Sequence, residues 1–258
     1  MKIRNQKNGC KKAGIVGVPP LSVIKQLNES GAVIYDLDEP REGININRAD
    51  TILPRVYCAV IRTVVVNALY LDLDMIYMDT GAGKCDSSLN TSYILNDILN
   101  IPVIRTRNHD NTPYGYPLCR ARMPLIEKIK KITNRVTSPE YPDRQKYKPC
   151  TPSAGFWGPP PRDLSLLKPF PANTHIYGWT RCMENKTPAD IDLELHYNPD
   201  IPTVFFAQSF CPKTGMAKFL ACQHPRALYL DVDTKCGSSA KAKIEAFLEL
   251  SGVQNDNR

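Results

Sequence analysis

"MIYMDTGAGKCDSSLNTSYILNDIL", residues 75–99, and "ALYLDVDTKCGSSAKAKIEAFLEL", residues 227–250, carry the same sequence of events. A short apolar run of the kind that fits a buried strand leads into a loop containing Lys-Cys-x-Ser-Ser. A helix-length amphipathic segment follows, its first turn supplied with Ser or Asp as capping residues. Working outward, each stretch is preceded by another cysteine and another helix: "LPRVYCAVIRTVVVNALYLDLD" before the first and "AQSFCPKTGMAKFLACQHPR" before the second. Cys58 opens the helix predicted over 58–69. Cys211 stands before Pro212, a favoured first helical residue. Farther out, "AGIVGVPPLSVIKQLNESGAVIYDLDEP" (13–40) and "AGFWGPPPRDLSLLKPFPANTHIYGWTRC" (154–182) share Ala-Gly-x-x-Gly-x-Pro-Pro, followed by a helix-length segment and a β run. Pro169 and Pro171 predict that the second of these helices is short or broken. "IPVIRT" after Leu99 is one further β run.

Strands alternating with helices predict parallel α/β layers, so the expected fold class is α/β with two similar Rossmann-like domains, parallel sheets and an internal duplication. A stretch rich in Pro and charge ending at Cys150 is the expected linker. The boundaries are an N-terminal α/β domain over 1–137, a linker over 138–150 and a C-terminal α/β domain over 151–258.

The chain has 258 residues and a formal net charge of +7, enough for two modest cores. Its basic residues are scattered, with no basic motif interleaved with aromatics, so nucleic acid is not an expected partner. No apolar run approaches the roughly 18 residues of a membrane span, and no apolar h-region follows the basic start "MKIRNQKNGCKKAG". The expected setting is cytoplasmic and reducing. Nine cysteines in such a compartment point to metal binding or catalysis before disulfides.

Cys85 and Cys236 fall at the carboxyl end of a strand, and Cys58 and Cys211 fall at the start of a helix, so all four are expected at the rim. In parallel α/β domains that rim is where ligands bind. Helix N-termini and the adjacent Lys84 and Lys235 favour thiolate over thiol, and thiolates are the ligands of iron–sulfur clusters. Cys10, Cys119, Cys150 and Cys222 lie outside the repeated positions and read as small core residues. His109, in the polar loop "RTRNHDNTPYGYP", and Arg105 are the candidate catalytic groups; Arg107 and Arg120 are near the same loop. "DTGAGK" lacks Walker spacing and reads as a glycine turn. Trp157 and Trp179, at strand ends, are expected to wall a cleft or pack in the core.

The run "SVIKQLNESGAVIYDLDEP…ADTILPRVYCAVIRTVVVNALYLDLDMIYMDTGAGKCDSS" resembles the amino-terminal domain of the 2-hydroxyacyl-CoA dehydratase and benzoyl-CoA reductase subunits, double-cubane relatives included. The residues that carry the resemblance are Ala49-Asp50, Leu53-Pro54-Arg55, Cys58 and Cys85-Asp86, with Gly155 to Gly158, Cys182 and Cys236 in the second half. It implies that Cys58, Cys85 and Cys236 ligate a four-iron four-sulfur cluster between the domains. Cys211 and Cys182 would serve as additional cofactor-binding residues if the cluster is a double cubane. It also implies an ATP-hydrolysing activator protein as electron donor, a homodimer or a paralogous partner subunit, and an acyl-CoA or small-molecule substrate. Such a protein is an oxygen-sensitive, anaerobic oxidoreductase or lyase. No CoA-binding signature is present, so low-potential electron transfer in a reductase is the preferred reading over dehydration.

Two other readings fit parts of the pattern. In a cofactor-free racemase of the aspartate/glutamate type, Cys85 and Cys236 would pass a proton between opposite faces of a substrate. In a non-catalytic assembly subunit, the cysteines would hold a cluster for a larger complex.

Overall fold

The computed structural model describes residues 11–112, 114–234 and 236–254. Cys10 and Lys235 therefore lie outside the described residues. The first half runs β1 (Lys12–Val16), α1 (Leu21–Glu29), β2 (Val33–Asp36), a 3-10 turn (Ile46–Thr51), α2 (Ala59–Tyr70), β3 (Met75–Asp79), α3 (Asp86–Ile98) and β4 (Val103–Thr106). Its four strands form a parallel sheet in the order β2-β1-β3-β4. Side chains alternate across it with the period of two that a pleated strand imposes. Ala13 and Ile15 pack with Ile24 and Leu27 of α1, whereas Val16, Ile76 and Met78 pack with α2 and with Leu95 of α3.

The second half begins with α4 (Pro117–Arg120) and α5 (Leu125–Asn134). It continues through β5 (Gly155–Trp157), a 3-10 turn (Leu164–Leu167), β6 (His175–Tyr177), α6 (Trp179–Asn185), α7 (Ile191–Leu195), β7 (Thr203–Gln208), α8 (Lys213–Gln223), β8 (Ala227–Val232) and α9 (Ser238–Leu250). The short 3-10 turn stands where α1 stands in the first half, in keeping with the two prolines that follow it. A second parallel sheet has the order β6-β5-β7-β8. Phe156, Val204 and Phe206 face α5 and α9, while Trp157, Phe205 and Ala207 face α8. The chain is thus an α/β protein with two four-stranded parallel sheets of the same strand order.

The chain does not pass from one half to the other at a single point. Leu118, Cys119, Leu125, Ile129 and Ile132, from α4 and α5, share a buried core with the second sheet. Val136 then returns to pack against Ala13, Ile15 and α1 of the first. The segment assigned by sequence to the end of the first domain covers a face of the second sheet.

The common strand order also corrects the register of the cysteine loops. β1 corresponds to β5, β2 to β6, β3 to β7 and β4 to β8. Cys85 follows β3, so its counterpart is Cys211 after β7, not Cys236 after the edge strand β8. The Lys-Cys-x-Ser-Ser loops occupy different places in the two sheets. In a sheet of this order the crevice opens where the connections leave the first strand in opposite directions, between β1 and β3 and again between β5 and β7. Edge-strand loops lie to one side of it.

Candidate thiol site between the two sheets

The carboxyl ends of both sheets contribute to one cavity of about 410 Å³. This falls within the range of roughly 300–1,000 Å³ typical of small-ligand sites. From the first half it is lined by Gly17 after β1, Asp38 after β2, Cys58 and Ile61 at the start of α2, and Asp79, Lys84 and Cys85 between β3 and α3. The second half supplies Pro159, Trp179, Glu194 of α7, and Cys211, Lys213 and Met216 at the start of α8. Cys58 and Cys85 each cap their helix in extended backbone, which brings the sulfur to the mouth of the helix. Phe210, just before Cys211, is held at φ 63°. A non-glycine residue in this left-handed region stores strain of the kind found at functional sites.

The charged side chains of the cavity are anchored. Asp79 Oδ1 accepts from the N–H groups of Gly81 and Asn108, each at 3.1 Å. Its Oδ2 lies 3.2 Å from Lys84 Nζ, in ion-pair range but not aligned for a hydrogen bond. Lys84 Nζ also sits 4.2 Å from the centre of the Trp179 ring, a cation–π contact spanning the two halves. Glu194 takes Lys213 Nζ on both oxygens, at 2.5 and 2.7 Å. Asp38 Oδ2 accepts from the Gly17 N–H at 2.7 Å. Behind the cavity, the buried Asn108 amide donates to the carbonyls of Val18 and Lys186, each at 3.0 Å, and so ties one half to the other.

Burial sets the protonation of the thiols. It pushes Cys58 up to about 11 against the pull of the Ile61 N–H, with Cys211 and Cys85 adding to the rise. Cys211 is raised by the same desolvation, against the Lys213 N–H. The helix N-termini do aim N–H groups at these sulfurs as the sequence implied, but desolvation outweighs them. The expectation of preformed thiolates is therefore corrected: burial favours the thiol form of Cys58 and Cys211 near neutral pH.

Cys58, Cys85 and Cys211 line the cavity together, whereas Cys236 is not among its described lining residues. Cys236 packs on the second core, where burial pushes it up to about 11 with Asp163 adding to the rise. Cys182 is fully buried in α6 behind Trp179, and burial likewise takes it to about 11. The face-to-face pairing of Cys85 with Cys236 required of a racemase is not what this cavity presents. His109 is exposed, and Arg105 is exposed with its guanidinium 4.1 Å over the Tyr93 ring; neither lines the cavity. Arg107 and Arg120 are exposed as well. Of the tryptophans, Trp179 lines the cavity, and Trp157 is core, its Nε1 donating to the Glu194 carbonyl at 2.7 Å. Cys119 is buried as expected, but Cys150 is half-buried and Cys222 exposed.

Sequence reasoning did not single out Asp38, Asp79, Asn108, Glu194 or Lys213. The two aspartates had a signal available, since each ends an apolar strand run in "YDLD" or "YMD". Glu194 had none, because only folding brings α7 to the cavity. No family model matches the chain, and no curated protein matches it. What the cavity can do is read from its own residues.

Among the described residues, no group of three or more His, Cys, Asp or Glu side chains is close enough together to hold a single metal ion. One ion with bonds of about 2.3 Å to sulfur needs its ligands tightly gathered. A multi-iron cluster carries its thiolates on separate iron atoms, so its ligands stand farther apart. Cys58, Cys85 and Cys211 stand at three different helix starts around one cavity.

Proposed function

We propose that the protein binds an iron–sulfur cluster between its two halves and passes low-potential electrons, as a subunit of an ATP-activated reductase or dehydratase-like system. The carrying observation is the convergence of Cys58, Cys85 and Cys211 on one cavity at the carboxyl ends of both sheets. These three are the proposed ligands, with Cys211 taking the place first given to Cys236. The cluster supplies single-electron chemistry, and the chain supplies its setting. Lys84 and Lys213 are held at the cavity by Asp79 and Glu194 and offset the negative charge that ligating thiolates bring in. Val60, Ile61, Trp179 and Met216 keep water from the sulfurs, which sets the potential along with the charge. Three cysteine ligands leave one iron of a four-iron cluster open to substrate, or leave room for the extra ligation of a double cubane. An ATP-hydrolysing activator as donor, a second copy or paralogous subunit as partner, and a reducing cytoplasmic setting complete the proposal. The shared strand order and Ala-Gly-x-x-Gly-x-Pro-Pro segments support an ancient internal duplication, with the Lys-Cys-x-Ser-Ser loops out of register within it.

The test is reconstitution of the full chain with iron and sulfide under anaerobic conditions. The expected product is brown and carries iron and acid-labile sulfide in comparable amounts. A colourless product with neither element overturns the proposal.

A further inference from the structure

Beside the thiol cavity, and sharing none of its lining residues, lies a smaller cavity of about 190 Å³. Arg41 from the loop after β2, Thr63 and Asn67 of α2, Arg162 after β5 and Thr234 after β8 line it. Both halves of the protein therefore contribute. Three buried polar atoms belonging to these residues have no hydrogen-bond partner: Arg41 Nε, Arg162 Nη2 and Asn67 Oδ1. Buried polar groups are normally paired, and each exception calls for an explanation.

The geometry around each atom excludes a local remedy. Asn67 is fully buried, and its Nδ2 donates to the carbonyls of Leu37 and Glu39 at 2.9 and 2.8 Å. That pairing fixes the amide and leaves Oδ1 as an acceptor awaiting a donor. Arg162 Nη1 donates to the Asp38 carbonyl, leaving Nη2 unused. The Arg41 guanidinium lies 5.0 Å from the centre of the Tyr35 ring, and its Nε has no partner. Asp36, Asp38 and Glu39 also act on Arg162, and burial raises Asp36 and Asp38 toward the neutral form.

Two guanidinium donors and one amide acceptor around a single cavity call for a ligand with anionic oxygens and one O–H. At the roughly 30 Å³ that a water occupies in the liquid, the space equals about six waters. That suits a tetrahedral oxyanion and is too small for a nucleotide. We propose that this cavity is a binding site for free hydrogen phosphate, with Arg41 and Arg162 on its oxygens and its hydroxyl donating to Asn67 Oδ1. Because Arg162 and Thr234 come from one half and Arg41 and Asn67 from the other, the bound anion fastens the two sheets together. The site stands whether or not the thiol cavity holds a cluster.

The experiment is isothermal titration of the full chain near pH 7.5 with inorganic phosphate, methyl phosphate and sulfate at equal ionic strength. Phosphate is expected to bind saturably. Sulfate, which has no O–H to offer Asn67, is expected to bind at least about tenfold more weakly. Methyl phosphate, a dianion without an O–H near pH 7.5, is expected to bind as weakly as sulfate, and methyl phosphate binding as tightly as phosphate overturns the hydroxyl contact to Asn67. Arg162→Gln and Arg41→Gln should each weaken phosphate at least about tenfold, while Lys130→Gln, in the neighbouring cavity, should not. Arg41 is the less embedded of the pair, so its variant keeps the test open if Arg162→Gln fails to fold. No saturable binding of phosphate, sulfate binding equal to phosphate, or unchanged affinity in a folded Arg41→Gln variant overturns the site.

Discussion

His175 opens β6 with 8% of its surface exposed, its Nε2 at 2.8 Å from the Cys150 carbonyl. Burial drives its pKa from 6.5 down to about 4. The folded protein thus binds this proton less readily than the unfolded chain. The stabilisation is fully present above about pH 6.5 and is lost as pH falls through about 4, a change of about 3 kcal/mol for this one group. Urea midpoints should drop between pH 7 and pH 4.5, and His175→Asn should show a smaller drop. An equal drop in both proteins would exclude His175 as a source of the acid sensitivity. At this scale the sequence was partly readable. Cys58, Cys85 and Cys211 were visible as residues at helix starts and do share a cavity. Cys236 could not be separated from them, because a matching local pattern says nothing about whether its strand is central or at an edge. Nor could the raised pKa of Cys58 be foreseen, since the opposing helix N-terminus is local and the desolvation comes from packing against distant residues of the first core, with Cys211 beside it.

The turn ahead of α3 shows how elements from the two halves fit. Gly83 has φ +74° there, and a Cβ on it would fall 2.0 Å from the Ala189 Cβ of the loop before α7. Gly31 has a similar φ of +69° but open space around it. Gly31→Ala should therefore cost only the backbone strain, about 1 kcal/mol. Gly83→Ala should cost about 2–4 kcal/mol, strain plus the clash. Adding Ala189→Gly to Gly83→Ala should recover part of the difference, because the Ala189 Cα and N stay 3.1 and 3.3 Å from the new Cβ. Chemical denaturation of the four proteins measures this, and no recovery in the double variant would show that the two halves do not meet at this turn. Element types were readable in advance: the alternation of strand and helix, the Pro-shortened second helix, and the helix starts at Cys58 and Cys85. Glycine turns such as Gly83 were also marked, but not what they pack against, since the partner lies more than 100 residues away.

On the scale of the whole molecule, the second sheet is completed by helices that precede the linker. Leu125, Ile129 and Ile132 of α5 cover Phe156, Val204 and Phe206. Removing them would expose a broad apolar face, and aromatic core side chains alone carry about 3–5 kcal/mol each. A fragment 114–258 is expected to express as a folded, monodisperse protein, whereas 151–258 is expected to aggregate. Equal solubility of the two fragments would contradict the packing of α4 and α5 on that sheet. Composition marked a Pro-rich linker over 138–150 but could not reveal that the chain crosses to the second sheet before it, because α5 has the same amphipathic pattern whichever sheet it covers.

The iron content of two single variants, Cys211→Ser and Cys236→Ser, each reconstituted anaerobically beside the parent protein, tests the central claim most directly. Serine keeps the size of cysteine but is a harder ligand whose hydroxyl does not ionise near neutral pH, so a true ligand position loses iron while the fold survives. With the cluster in the cavity between the sheets, Cys211→Ser should lose most of its iron and Cys236→Ser should keep it. Iron retained in Cys211→Ser and lost in Cys236→Ser, with both variants folded, would contradict a cluster held between β3 and β7 and move it to the edge of the second sheet.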